Sequence, residues 1–327
     1  MTAAYITELG SAEAIRVGPL PVPQPGPTDV LVRVEAVAVN PVDTFVRSGA
    51  YRTPTPFPFV LGRDLVGTVA AVGPGAVPYR LGQRVWCNSL GHGGRQGACA
   101  GYAVVPAERL YPLPPEADPV AAVAVFHPAA TAYLGLFVHA RLRPGETVFV
   151  GGGAGHVGTA VVTLAAEAGA RVVASARPED FGRCRAAGAV AVFDYRDPAL
   201  AERLRGAAPE GVDVHWDTSG RHDLGRAVGL LARGGRIVLM AGLGTQPALP
   251  VGPLYTRDAS LVGFAISNAA TSDLVAAAGR INTLVAGSKL SPRAAESMPL
   301  SRTAEAHLRL EQGALRGARL VLQPPQE

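Results

Sequence analysis

The chain has 327 residues, 30 Lys and Arg against 26 Asp and Glu, 48% hydrophobic and 17% charged residues, and three cysteines. So much apolar surface with so little charge excludes a disordered chain, and the length fits one large or two ordinary domains. A net charge of only +4 without basic clusters argues against nucleic acid, whose binding needs many neutralised phosphates.

Lys289 is the only lysine, in Ala286-Gly287-Ser288-Lys289-Leu290. This excludes a phosphate loop of the G-x-x-x-x-G-K type and leaves a single residue for any Schiff-base chemistry. No charged-then-apolar leader follows Met1, and by eye no run reaches the roughly 18–20 apolar residues of a membrane span. Cys87, Cys99 and Cys184 are an odd set that suits a reducing compartment. The expectation is a cytoplasmic chain with no membrane partner.

Residues 1–120 read as short strands with Pro-Gly turns: Val30 to Val39, Gly67 to Val72 and Gly82 to Trp86, the pattern of a small barrel. From about residue 125, strands alternate with helices. Thr147–Val150 opens the series and Val157–Glu167 is its helix. Strands follow at Arg171–Ala174, Val190–Phe193, Val212–His215, Arg236–Leu239 and Ser260–Val262. Six such strands predict a doubly wound parallel sheet. A helical stretch follows residue 264, and a last strand lies at Arg319–Leu322.

Between the first strand of that series and its helix stands Gly151-Gly152-Gly153-Ala154-Gly155-His156-Val157-Gly158. Gly153, Gly155 and Gly158 form G-x-G-x-x-G in the strand–turn–helix context that the dinucleotide fingerprint requires. Glycines there let the backbone turn tightly and approach a pyrophosphate, whose charge then faces the helix N-terminus. An NAD site places an acid about 20 residues on, to hold the ribose hydroxyls. Here the second strand ends Ala174-Ser175-Ala176-Arg177, with no acid before Glu179. Ser175 and Arg177 suit a 2′-phosphate, by hydrogen bond and bidentate ion pair respectively, so the expected cofactor is NADPH.

Further markers are Asn40-Pro41-Val42-Asp43, Gly49-Ala50-Tyr51, Val60-Leu61-Gly62-Arg63-Asp64 and Gly82-Gln83-Arg84-Val85. They continue with Thr131-Ala132-Tyr133, Gly188-Ala189, Phe193-Asp194-Tyr195, Gly234-Gly235-Arg236-Ile237-Val238 and Val262-Gly263-Phe264. In this order and spacing, over essentially the whole chain, they resemble the zinc-independent quinone oxidoreductases of the medium-chain dehydrogenase/reductase superfamily. The resemblance implies an α/β fold, with a GroES-like β-barrel catalytic domain (residues 1–123 and 264–327) around a Rossmann domain (124–263). It also implies a cleft between them and a homodimer.

Zinc-dependent relatives ligate catalytic metal where this chain has Asn40, Arg63-Asp64 and His127. Of these only His127 matches, against the three protein ligands a catalytic zinc needs, so no metal is expected. Hydride transfer then calls for an acceptor whose own conjugation stabilises the added charge, such as a quinone or enone. Tyr51 stands eleven residues after Asn40, the spacing of the proton-donating tyrosine in related enoyl-thioester reductases. It is either a donor or a cleft-wall aromatic. Asn40 is expected to bond the nicotinamide ribose or the substrate carbonyl, and Asp43 and Arg47 to face each other across one helical turn.

For the cofactor, the resemblance implies Thr131 at the nicotinamide amide and Tyr195 at the adenosine phosphate. Gly242 and Leu243 after the fifth strand, with Phe264 and Ile266 after the sixth, would line the nicotinamide pocket. His156 and Val157 lie inside the turn itself, and the roles of His127 and His156 stay open. The leading reading is an NADPH-dependent reductase of quinones or conjugated carbonyls. The alternatives are a 2-enoyl-thioester or alkenal reductase, and a non-catalytic NADPH-binding relative of structural or RNA-binding kind.

Overall fold

In the computed structural model, residues 1–315 and 317–325 are described. Two compact units emerge: Met1–His127 with Leu274–Glu327, and Pro128–Asp273. These cuts fall four and ten residues beyond the boundaries expected from the sequence.

The first unit carries β1 (Thr2–Ile6), β2 (Arg16–Pro19), β3 (Asp29–Ala38), β4 (Phe59–Val60), β5 (Leu65–Val72), β6 (Arg84–Cys87), β7 (Tyr102–Pro106) and β8 (Tyr111–Pro112). The second unit follows with β9 (Thr147–Gly151), β10 (Arg171–Ala176), β11 (Ala191–Asp194), β12 (Val212–Asp217), β13 (Leu231–Leu239) and β14 (Ser260–Gly263). The chain then returns to the first unit with β15 (Ala295–Pro299) and β16 (Arg319–Gln323).

In the first unit, β2-β1-β4 form one sheet and β15-β16-β3-β5-β6-β8 another, with β7 paired to the other edge of β3. The long strand β3 is central because its apolar residues are buried almost throughout, so it needs neighbours on both sides. Its partners include β16, in register Val321 with Ala38, contributed from the far end of the chain. The core gathers Val30, Val32, Val34, Phe59, Leu65, Val85 and Leu320, each nearly or fully buried. Burial of such side chains contributes about 1.5–3 kcal/mol each.

In the second unit six strands run parallel in the order β11-β10-β9-β12-β13-β14. This is the doubly wound pattern, and the order reverses between β9 and β12, where ligands gather beyond the carboxyl ends of the strands. Strand β9 is the first of the series yet lies in the middle, which is why Val148, Phe149 and Val150 are all buried. Helix α3 (His156–Glu167) follows it directly. β13 begins five residues earlier than the sequence suggested, because Arg233-Gly234-Gly235 runs through the strand rather than ending a helix.

Two helices meet the first unit. Helix α1 (Pro41–Ser48) follows β3, with Pro41 at its first position and Gly49 ending it at φ +80°, a left-handed conformation suited to glycine. Helix α2 (Pro119–Tyr133) continues into a π-helical segment, Leu134–His139. Its Phe126 ring stacks on Trp86 of β6, with centroids 3.9 Å apart and planes within 10°. The Trp86 indole N–H in turn donates to Asn282 at 3.0 Å, in the later helix Thr271–Ala286.

Residues Pro119–His139 are long and apolar enough to cross a membrane by composition, which corrects the expectation that no run reaches that length. Two thirds of its most apolar window is buried (67%), so the run reads as a core helix. Within the π-helical segment residue 135 has no room for a side chain: a Cβ added at Gly135 would overlap the ring of Trp216 on β12. Trp216 is fully buried and cannot withdraw. Gly135→Ala is therefore expected to destabilise the protein by about 1–3 kcal/mol through overpacking. Urea unfolding followed by tryptophan fluorescence checks this, and an unchanged midpoint would show that the Trp216 contact yields freely.

Candidate active site

In the first unit the site begins where β3 passes into α1. Asn40 caps that helix, and its backbone N–H donates to the Asp43 carboxylate at 2.8 Å. The Asn40 side chain is spoken for at both ends. Its amide donates to Asp64 Oδ2 at 2.9 Å, and its carbonyl accepts from Arg319 Nη2 at 2.6 Å. The other Asp64 oxygen, Oδ1, lies 3.1 Å from His127 Nδ1. A carboxylate only accepts, so this imidazole carries its proton on Nδ1.

Four residues thus run in file from Arg319 through Asn40 and Asp64 to His127. Asn40, Asp64 and Arg319 are 1%, 0% and 4% exposed. Arg63 is buried beside them, and none of its three guanidinium nitrogens has a hydrogen-bond partner among the described residues. Two acids and two guanidinium groups therefore share an interior pocket of charge. Burial pushes the Asp43 carboxyl up to about 7, with the nearby Asp64 charge as the next cause; the Asn40 N–H, Arg63 and Arg319 pull the other way. Burial lowers Arg63, and Asp43 and Asp64 oppose that fall.

Arg47 does not meet Asp43, contrary to the expected helical pair. Asp43 is turned back onto its own helix cap, while Arg47 reaches away to Glu311 at 2.5 Å and to the Gly10 carbonyl at 3.1 Å. His307 adjoins the same guanidinium at 3.5 Å, and burial with that charge pushes it down to about 3. The pair therefore anchors α1 to the helix Thr303–Glu311 and takes no part in the site. Tyr51 lies just past α1, held by its backbone N–H to the Phe45 carbonyl at 3.0 Å. Its ring leans on His92, with centroids 5.8 Å apart. Burial, then Arg63, Arg95 and Arg109, push His92 down to about 4, which keeps the ring neutral. Among the described residues the Tyr51 hydroxyl has no hydrogen-bond partner.

In the second unit the glycine turn joins β9 to α3. Gly152 sits at φ +71°, and a Cβ on Gly158 would run into the Gly152 carbonyl. One on Gly153 would lie 2.9 Å from the Ala174 Cβ of β10. Gly155 caps α3 without a side chain, so the first helical N–H groups, from His156, Val157 and Gly158, face outward with no side-chain cap. Ser175 is buried at the end of β10, where its carbonyl accepts the Gly153 N–H at 2.9 Å. Arg177 is engaged by two acids, Asp180 at 3.1 Å and Glu179 at 3.4 Å.

Tyr195 is exposed beneath the Arg196 guanidinium, 5.3 Å from its ring centre. Gly242, at φ +86°, and the exposed Leu243 follow β13. Phe264 stacks on His139, with centroids 4.7 Å apart and planes 20° apart, and meets Trp216 edge-on. Ile266 opens a short 3-10 turn just beyond, and Thr131 is buried within α2.

Sequence reasoning missed Arg319, Asp180 and the joint role of Asp64 with His127. Arg319 is 279 positions from its partner Asn40, and no local pattern marks it. Asp180 was legible, three residues beyond Arg177, as an acid able to hold it. Among the described residues no group of three or more His, Cys, Asp and Glu side chains is placed to hold a metal ion.

Residues 26–115 match the alcohol dehydrogenase GroES-like domain, and residues 157–281 match the zinc-binding dehydrogenase domain. The rat quinone oxidoreductase is 30% identical over 312 residues, covering 94% of this chain and 93% of its own. Among solved structures, the Escherichia coli quinone oxidoreductase complexed with NADPH is 25% identical, with a TM-score of 0.85, covering 99% of this chain and 100% of its own. An NAD-dependent alcohol dehydrogenase is 32% identical, with a TM-score of 0.87 and 99% coverage of both chains.

The raised Asp43 carboxyl has a consequence for stability. Its folded value near 7 lies above the ordinary 3.8, so the folded state holds an extra proton between about 4 and 7. The stability this brings is complete below 3.8 and is lost as pH rises through about 7. Asp43→Asn keeps an acceptor for the Asn40 N–H without titrating. It is expected to gain on the wild type as pH rises across that window, by at most about 1.4 kcal/mol per pH unit. Chemical denaturation from pH 4.5 to 7.5 checks it, and a difference independent of pH would contradict the shift.

Proposed function

We propose, from the premise that this chain belongs to the quinone oxidoreductase family of the medium-chain dehydrogenase/reductase superfamily, that it reduces quinones or other conjugated carbonyls with NADPH and without zinc. The observation that carries the reading is the closed hydrogen-bonded file at Asn40, Asp64 and His127. Those are the positions where zinc-dependent relatives hold their metal. Here Asn40 spends its carbonyl on Arg319 and its amide on Asp64, and Asp64 spends its second oxygen on His127. Two buried guanidinium groups, Arg63 and Arg319, already balance the acids and would repel a dication. Without a Lewis acid to polarise an isolated carbonyl, the acceptor must delocalise the incoming charge itself.

Bound NADPH supplies the hydride. The turn at Gly153, Gly155 and Gly158 fits its pyrophosphate, since side chains there would fill the space the backbone needs and the uncapped start of α3 favours negative charge. The absence of an acid at the end of β10 favours a 2′-phosphate, with Ser175 and Arg177 as its readers. Tyr195, Gly242, Leu243, Phe264, Ile266, Thr131, His156 and Val157 complete the proposed cofactor contacts. Asn40 supports the site from beneath, and Tyr51 belongs to the acceptor wall. Three free, buried thiols suit a reducing cytoplasm. The edge strand β14, with Leu261 exposed, supports pairing with a second copy of the chain.

Turnover tests the reading. Loss of NADPH absorbance is expected with 1,2-naphthoquinone or a simple enone. Turnover with crotonyl-CoA alone would move the assignment to an enoyl-thioester reductase, and none with any acceptor would leave a cofactor-binding protein. Tyr51→Phe is expected to change the acceptor KM and to leave kcat within about twofold, because nothing fixes the phenol for proton transfer.

Cofactor preference gives a second test. Arg177 must leave Asp180 to meet a phosphate, so Asp180→Asn should lower the KM for NADPH. Arg177→Ala should raise it by about tenfold or more, the loss of a charge-assisted pair of roughly 1.5–3 kcal/mol. NADH should respond little to either change, and equal effects on both cofactors would refute the role of Arg177.

A further inference from the structure

We infer that Arg196 sets the selectivity for a 2′-phosphate, by offering a cation that no acid has already taken; this rests on the NADPH reading above. The whole of this corner lies in the second unit. Strands β10 and β11 run parallel, with Ser175 beside Phe193 and Ala176 beside Asp194. The Tyr195 N–H donates to the Ala176 carbonyl at 3.3 Å and carries that register one step past the strands. Arg177 and Tyr195 therefore leave the sheet side by side, with Arg196 next. An adenosine ribose bound over the glycine turn is read at the end of the second strand of such a sheet, so its 2′-position belongs at this edge.

The cations here differ in what already holds them. Arg177 is bracketed by Asp180 at 3.1 Å and Glu179 at 3.4 Å, so a phosphate reaches it only by displacing carboxylates. In the helix Phe181–Ala186, Arg183 donates to Thr159 at 3.4 Å and Arg185 lies over the Phe181 ring, 5.7 Å from its centre. Arg196 is flanked by two acids, and both are engaged elsewhere. Asp194 accepts the Arg196 backbone N–H at 2.9 Å, while Asp197 accepts from Arg203 at 2.5 Å and from the Ala199 N–H at 2.8 Å. Among the described residues the Arg196 guanidinium has no hydrogen bond or ion pair. Its one contact is the exposed Tyr195 ring, 5.3 Å from its carbon to the ring centre.

An aromatic face holds a guanidinium without using its N–H groups. Those groups form a planar fork that matches two phosphate oxygens. A carboxylate partner must be displaced before an anion can bind, whereas a ring need not be. Arg196 thus meets the phosphate first, Tyr195 positions it, and Arg177 closes on the other side once it parts from its acids.

Ligand binding without turnover tests this. Titration calorimetry with 2′,5′-ADP and with 5′-AMP isolates the phosphate, since the two ligands differ in nothing else. Wild type is expected to prefer 2′,5′-ADP. Arg196→Ala should weaken 2′,5′-ADP by about tenfold or more and leave 5′-AMP within about twofold. Arg196→Lys, which keeps the charge without the fork, should recover part of the loss. Arg205→Ala removes the same charge from the neighbouring helix Leu200–Ala207 and should change neither affinity. Both arginines are exposed, so every variant should keep the wild-type Tm. An Arg196→Ala protein that binds 2′,5′-ADP within about twofold of wild type overturns the inference. So does an equal loss for 5′-AMP, or a loss that Arg205→Ala reproduces, since a general field would then replace the contact. The two readings fail separately. A wild type with no preference for 2′,5′-ADP removes the NADPH selectivity and Arg196 with it, whereas a selective wild type with an equally selective Arg196→Ala removes Arg196 alone.

Discussion

Two aspartates and two arginines buried together at the end of β3 set the terms for the first unit. Placing a carboxylate such as Asp64 in an apolar interior costs several kcal/mol unless it is paired and hydrogen-bonded. Asn40 bonds it, His127 bonds it, and Arg63 and Arg319 offset its charge. Arg319 arrives only when β16 pairs with β3, and the Val39 N–H donating to the Leu320 carbonyl at 3.0 Å fixes that register. The discontinuous topology therefore has an electrostatic reason: the chain cannot satisfy Asn40 and Asp64 until its final strand has come home.

The nucleotide unit meets the opposite constraint, since its site depends on the absence of side chains. Around Gly152, Gly153 and Gly158 the turn is so close that a Cβ would strike the Thr218 hydroxyl, Ala174 or the Gly152 carbonyl respectively. That closeness brings α3 against β9 and β10 with its first N–H groups uncapped. Gly135 answers the same demand at Trp216, where a buried ring occupies the volume a side chain would need. Rigid glycine contacts set the backbone, while Arg177 at the end of β10 is held by side-chain contacts alone, to Asp180 and Glu179.

Most of this architecture was legible in the sequence where its cause is local. The parallel strands announce themselves as short apolar runs because both faces are covered, and the glycine turn because strand, turn and helix are contiguous. The helix at Pro41 and its end at Gly49 follow from residue types with one conformational preference each. What escaped was non-local. Asp43 and Arg47 are four residues apart, and helix geometry suggests a pair. A cap three residues back and a glutamate 264 residues on compete for them and win. The Asn40 amide looked available for a ligand because Arg319 is invisible from its own neighbourhood. The apolar stretch Pro119–His139 escaped notice because Pro128 and small residues interrupt it to the eye, although helix geometry adds its surface up.

The polar file also makes any single substitution within it costly. Asn40 exchanged for a cysteine would strand the Arg319 guanidinium and the Asp64 Oδ2 oxygen at once. Breaking a buried pair by removing one partner costs about 3–5 kcal/mol, a large part of the 5–15 kcal/mol that holds a typical domain together. Arg63 would further oppose any dication from a position with no hydrogen bond to restrain it. The same set of contacts holds the His127 ring against a buried carboxylate, so one substitution in the file disturbs charge, hydrogen bonding and ring orientation together.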